Sequence, residues 1–245
     1  SSRSPGRSAP RSERAGRRAA RLPVVSRSVL TREEYLDRWS ELHGGYDPRG
    51  SRLVGPWLAT IHALASPFAR LGVPPDVVTL LGALVSAGVV WLCWLGGSWV
   101  IVAAVVVGLS GVLDSLDGAV AVMTGRESRW GAVLDSVVDR VSDALYLAAL
   151  WVVGAPAWTC VVAGFLVLAQ EYARARATAI GMDDVGVVTI GERPTRVIVV
   201  AMFLLGAGIY VDAAAEWATS AALVSTGVAA VALVQLLVVV RRRLA

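Results

Sequence analysis

DSLDGAVAVMTGRESRWGAVLDSVVD, residues 114–139, sets four aspartates and a short arginine-bearing turn between apolar runs. Asp114 and Asp117 are three residues apart, and Asp135 and Asp139 four apart, so on helices each pair occupies one face. The flanking runs reach the length a bilayer demands, about 20 residues at about 1.5 Å rise each. In such a setting an Asp costs about 2.5 to 3.5 kcal/mol, and four unmatched ones roughly 10 to 14 kcal/mol, so a compensating cation is implied. An antiparallel hairpin turning near Arg126 would place Asp114 opposite Asp139 and Asp117 opposite Asp135. All four would then lie in the membrane half nearest that turn.

Composition agrees. Of 245 residues, 56% are hydrophobic, and the mean hydropathy is +0.62, too apolar for the surface of a soluble domain. The chain reads as an all-α integral membrane protein. Its 23 basic residues are all Arg, which excludes a P-loop lysine and lysine Schiff-base chemistry. Cys93 and Cys160 sit in separate apolar runs without the spacing of a zinc or cluster site. His43 and His62 give no HExxH motif and little basis for a Ser/His/Asp triad. Chemistry is left to carboxylates and arginines.

Working outward, residues 1–28 carry eight Arg among Ser, Pro, Ala and Gly and read as a disordered basic tail, either solvated or drawn to an anionic leaflet. Residues 29–72 read as a cytoplasmic or interfacial helical segment. Thr31 and Glu34 form a capping-box pattern, Gly44 and Gly45 stop that first helix, and Leu53 to Leu71 suits an interfacial amphipathic helix. Residues 73–245 read as a catalytic domain of six transmembrane helices, near 76–95, 98–122, 132–153, 156–177, 194–212 and 217–240. The arginines support that count. With the N-terminus inside, Arg126, Arg129, Arg176, Arg193 and Arg241 to Arg243 fall on the cytoplasmic side, and the outer connections hold none. Asp183 and Asp184 fall in a solvated loop, and Ser142 and Asp143 extend the third-span face as packing or water-cavity groups.

Four oxygen ligands without His or Cys suit hard cations such as Mg²⁺ or Mn²⁺. Gly118, next to Asp117, and Gly131, four before Asp135, remove side chains where a phosphate would approach backbone. The competing explanation is that these are helix-end acids neutralised by Arg126, Arg129 and Arg140, but intramembrane carboxylates are functional by default. The pattern DxxDGxxA, then Gly131, Asp135 and Asp139, resembles the CDP-alcohol phosphotransferase signature DxxDGxxAR…GxxxDxxxD. The resemblance implies two divalent ions held by Asp114, Asp117, Asp135 and Asp139, with Asp139 also the catalytic base. It implies a nucleotide site at Gly118, Ser128 and the Asp76-Val77-Val78-Thr79 element. The family's Arg is Val122 here. Arg126, one helical turn on, is the substitute that proximity offers, and the alternative is altered donor specificity.

A second cluster holds Glu171, Arg174 and Arg176, then Glu192-Arg193-Pro194-Thr195-Arg196. Guanidinium forks suit phosphate, and the positive-inside rule accounts for the same arginines without a ligand. Resemblance to the bacterial phosphatidylinositol phosphate synthase branch implies that Arg174, Arg176, Arg193 and Arg196 hold an acceptor's phosphate. The reaction so implied moves a phosphatidyl group from CDP-diacylglycerol to a small polar alcohol and releases CMP. Inositol phosphate leads and glycerol phosphate is the alternative; a carboxylate-lined cation or proton transporter is the rival from another class. Membrane lipid and a second copy of the chain are the expected partners, with no nucleic acid. The expected location is the plasma membrane, with both termini and the active site cytoplasmic.

Overall fold

The computed structural model describes residues 29–182 and 188–244; the basic tail of residues 1–28 and the Asp183–Asp184 loop lie outside the described residues. Eight α-helices make up the fold, with no strand among the described residues: α1 Arg32–Leu42, α2 Val54–Arg70, α3 Pro75–Leu95, α4 Trp99–Thr124, α5 Arg129–Val153, α6 Ala157–Ala179, α7 Arg193–Ile209 and α8 Ala214–Leu244. Among the described residues three stretches are long and apolar enough to cross a membrane: Pro75–Leu95, Trp99–Thr124 and Val211–Leu244. The remaining long helices depart from that standard for visible reasons. α5 carries Asp135, Asp139, Arg140 and Asp143, α6 carries Glu171, Arg174 and Arg176, and α7 has 17 residues. All of these polar positions but Arg176 belong to the site described below.

Local signals set the helix ends. The Thr31 side chain accepts the Glu34 N–H, and the Glu34 carboxylate accepts the Thr31 N–H at 2.7 Å, which closes a capping box on α1. Ser128 caps α5 by accepting the Gly131 N–H at 2.9 Å. α4 ends at Gly125, whose φ of 60° lies in the left-handed region that a side chain disfavours.

α1 and α2 build one core against α4. Tyr35, Leu36, Leu58 and Ile61 pack with Leu116, Val120 and Met123. A backbone bond from Leu30 N–H to Met123 O, and His62 against Leu30 O, tie the chain before α1 to the end of α4. Val122, at the position where the family motif has Arg, is buried in this same core. A second core joins α3 to α8 through small residues, among them Ala103, Ala149, Ala207, Ala218 and Ala221, which allow the close helix approach that membrane packing favours.

The expected α4–α5 hairpin is corrected in one respect. α4 and α5 do not pack along their lengths; α3 packs against both, and α7 packs against α4. α3 fills the space between the two acidic helices, and Arg193 at the start of α7 stands between their acids, ion-paired with Asp139 and 3.4 Å from Asp114.

Candidate active site

In the cleft at this junction of α4, α5 and α7, Asp114, Asp135 and Asp139 each present a carboxylate oxygen, and the three oxygens lie within 4.8 Å of one another. Such a set, without nitrogen or sulfur, fits a hard divalent ion. Asp139 Oδ1 is buried against the Arg193 guanidinium, so a cationic group already stands at this atom. A Cβ built on Gly118 would meet nothing within 4 Å, so this glycine leaves open space beside the acids rather than serving packing.

Asp117 stands differently. Thr79 Oγ1 donates to its Oδ2 at 2.6 Å, and the Gly118 N–H lies 2.6 Å from its Oδ1. It is buried at 6% exposure and turned toward α3, outside the group of three. The four aspartates of the motif therefore divide into a convergent three and one engaged with the start of α3.

The positive side of the site comes from α5, α6 and α7. Arg193 is ion-paired with Asp139 and lies 3.4 Å from Asp114. Arg140 reaches Glu171 at 2.8 Å, Asp143 at 3.4 Å and Asp139 at 3.5 Å. Arg196 reaches Asp143 at 3.3 Å and Glu171 at 3.5 Å. These contacts supply the compensating charge that the buried acids require, since a buried charge left unpaired is strongly destabilising. Arg174 binds Glu192 at 2.8 Å and lies 3.8 Å from Glu171. Burial disfavours the Glu192 anion, but donation from the Thr189 N–H and hydroxyl and the Arg174 charge outweigh it and hold this carboxyl below its ordinary range.

Arg174, Arg193 and Arg196 line a cavity of about 840 Å³ together with Asp139, Arg140 and Glu171. Arg176 does not line it and is exposed. Arg140 and Glu171 are the members that sequence reading did not assign to a site. Glu171 lies three before Arg174 on one helical face, a signal that periodicity offers; Arg140, one residue after Asp139, shares no face with it and reaches the site through Glu171 of another helix.

The nucleotide candidates gather at the starts of α3 and α5. A Cβ on Gly131 would lie 3.1 Å from Ser128 Oγ and 3.7 Å from Asp76 Oδ1, so Asp76, Ser128 and Gly131 meet across the two helix N-termini. Thr79 joins them to Asp117. Val77 is exposed, whereas Val78 is 1% exposed and packs in the α1–α2–α4 core. Arg126 does not pair with the aspartates; its Nη1 donates to Gly72 O at 3.1 Å, which ties the α4–α5 turn to the α2–α3 turn.

The comparisons with known proteins agree with this geometry. Residues 73–241 match the family model described as CDP-alcohol phosphatidyltransferase. The phosphatidylinositol phosphate synthase of Cutibacterium acnes is 34% identical over 145 residues, 56% of this chain and 70% of that protein. The crystal structure of the Mycobacterium tuberculosis phosphatidylinositol phosphate synthase with CDP-DAG bound superposes with a TM-score of 0.61 at 28% identity, covering 74% of this chain and 92% of that one. The same enzyme in complex with manganese and citrate gives a TM-score of 0.62 at 28% identity, over 74% of this chain and 88% of that one. A metal-fitting acidic triad inside the matched region, in an all-helical membrane protein, is what the motif led one to expect, and the chain belongs to the CDP-alcohol phosphatidyltransferase family.

Proposed function

We propose that this membrane transferase moves the phosphatidyl group of CDP-diacylglycerol to a hydroxyl of an inositol phosphate, releasing CMP, as a step of phospholipid biosynthesis. The observation that carries the proposal is the juxtaposition of the Asp114–Asp135–Asp139 triad with the arginine-lined cavity that shares Asp139. The relatives bearing the name phosphatidylinositol phosphate synthase support this acceptor over glycerol phosphate.

Asp114, Asp135 and Asp139 would hold divalent metal, with Asp117 at the edge of the set as the motif implies. When bound, such ions neutralise the pyrophosphate and stabilise the leaving phosphate. Asp76, Val77, Thr79, Gly118 and Ser128 would flank the cytidine nucleotide, with Val78 supporting them from the core and Arg126 bracing the turn. Arg193 and Arg196, with Arg174 behind them, would take the acceptor's phosphate through paired N–H donors. Arg176, outside the cavity, would act at its mouth. The acceptor oxygen then attacks the lipid-side phosphorus and its proton passes to Asp139. One P–O bond forms, the bond to the CMP oxygen breaks, and CMP leaves with that electron pair. Arg140 and Arg193 flank Asp139, so the arriving hydroxyl takes the place of one of these contacts.

The same reading gives six membrane spans, α3 to α8, with α2 at the interface. The basic tail, both termini and the cleft would face the cytoplasm, and the chain would work as a homodimer in the plasma membrane. Residues 73–245 would then be the catalytic unit. The test is release of CMP from CDP-diacylglycerol by purified protein. It should require inositol phosphate and Mg²⁺ or Mn²⁺ together. Equal turnover with glycerol phosphate would reassign the acceptor, and ion flux without CMP would replace the enzyme with a transporter.

A further inference from the structure

The turn that precedes α7 holds no residue with an obvious chemical task, yet it is pinned from three helices. Gln170 of α6 is 0% exposed, and its Nε2 donates to Thr189 Oγ1 at 3.0 Å. An amide buried among apolar helices is costly unless it is hydrogen-bonded to some purpose. The Thr189 hydroxyl passes the chain on by donating to Glu192 Oε1 at 2.8 Å. The same oxygen accepts the Thr189 N–H at 2.8 Å and Arg174 Nη2 at 2.8 Å. Glu192 occupies the N-cap position of α7 but makes no side-chain cap to its own helix; its carboxylate reaches back to the turn instead. From α8, Gln235 Oε1 accepts the Ile190 N–H at 3.0 Å.

Gly191 seats this turn. A Cβ there would lie 2.5 Å from Ala232 Cβ and 3.2 Å from Gln170 Oε1, so the backbone lies flush against α8 and α6. The Gly191 carbonyl in turn accepts Arg196 Nη1 at 2.7 Å. The turn therefore fixes one guanidinium directly, and it fixes the backbone start of Arg193, the residue after Glu192. Long arginine side chains surrounded by Asp114, Asp139, Asp143 and Glu171 have several acidic partners to choose from, and the anchor of the turn selects which direction they take.

We infer that Gln170, Thr189 and Glu192 form a positioning relay that aims Arg193 and Arg196 at the acceptor's phosphate. This rests on the acceptor reading above; Gln170 and Thr189 lie outside the cavity lining, and Glu192 lines it beside Arg174 and Arg193. The relay sets affinity for the acceptor and leaves the CDP-lipid half of the cleft alone.

The test is steady-state kinetics of the purified full chain with CDP-diacylglycerol and an inositol monophosphate, for Thr189→Val, Thr189→Ser, Gln170→Leu and Arg196→Ala. Thr189→Val keeps the shape and removes the hydroxyl link; it should raise the acceptor KM roughly fivefold to tenfold, the worth of one or two lost hydrogen bonds. The KM for CDP-diacylglycerol should stay unchanged, the thermal midpoint should fall modestly because the buried Gln170 amide loses its acceptor, and Thr189→Ser should restore both the midpoint and the acceptor KM. Gln170→Leu should repeat the Thr189→Val pattern. If Arg196→Ala raises the acceptor KM while Thr189→Val does not, the relay is wrong and the acceptor site stands. If Arg196→Ala itself leaves the acceptor KM unchanged, both fall. A Thr189→Val protein that unfolds, or that weakens both substrates alike, also overturns the relay, because it then serves stability alone.

Discussion

The two ends of the cleft are built on opposite plans. At the acidic end, Asp114, Asp135 and Asp139 come from two helices within 26 residues of sequence, and short helical periodicity already sets the faces they share. At the basic end, Arg140, Arg174, Arg193 and Arg196 come from three helices, and each is held by acids remote in sequence, such as Arg140 by Glu171 and Arg193 by Asp114. The difference teaches that the metal-fitting site is a local device and the phosphate-fitting site a tertiary one. It also explains why they adjoin: each end carries the charge that lets the other be buried.

The comparison is broken most completely at the acidic end. Removing divalent ions with a chelator should abolish CMP release, and Mg²⁺ or Mn²⁺ should restore it; activity that survives exhaustive chelation would remove the metal from the scheme. Asp139→Asn keeps the size and removes the proton acceptor, and single-turnover rates should fall by about 10² to 10⁴. A fall below tenfold would mean that another group takes the proton.

The basic end should answer in affinity rather than rate. Arg193→Gln or Arg196→Gln removes a charged hydrogen bond worth about 1.5 to 3 kcal/mol, so the acceptor KM should rise by roughly 10- to 100-fold with CDP-diacylglycerol affinity retained. Equal losses for both substrates would erase the proposed division of the cleft. Arg176→Gln, at the mouth and outside the cavity lining, should raise the acceptor KM by less than Arg193→Gln or Arg196→Gln.

Smaller still is a pH effect at Glu192. Its folded carboxyl titrates below the ordinary 4.5, so its contribution to stability is present above that value and lost as pH falls through the folded one. Half-buried and partly screened, it should give only a slight fall in thermal midpoint below pH 4.5, and Glu192→Gln should flatten that slope. The exposed Arg38–Glu127 pair, at 3.3 Å between α1 and the α4–α5 turn, should prove the weakest contact of all. Glu127→Gln should leave kinetics and thermal midpoint within error.

The legible part of the molecule is the part governed by neighbours in sequence. Thr31 with Glu34, Gly44 with Gly45, and the aspartate spacings all act within one or two helical turns, and the structure places the Thr31–Glu34 capping box and the glycine stop as the spacing predicts. The helical boundaries of α3 to α8 follow the apolar runs for the same reason. Asp117 was harder, because its partner Thr79 lies 38 residues away and nothing in the spacing distinguishes it from Asp114. The two acidic faces meet as the hairpin reading expects, but that α4 and α5 do not pack side by side was beyond it: periodicity reports which face is polar, not whether another helix fills the space between two polar faces.

By itself, then, the chain of residues determined an all-helical membrane protein, two paired aspartate faces and a preference for hard cations, since backbone hydrogen bonding, transfer energy and ligand chemistry are all written locally. Only the tertiary structure decided that three of the four aspartates converge, that Val122 belongs to a core with α1 and α2, and that Arg140 and Glu171 join the cavity. Those outcomes depend on how separate helices are spaced and on which buried charge finds which partner, and electrostatic pairing in a low-dielectric interior is settled by distance in space, not along the chain.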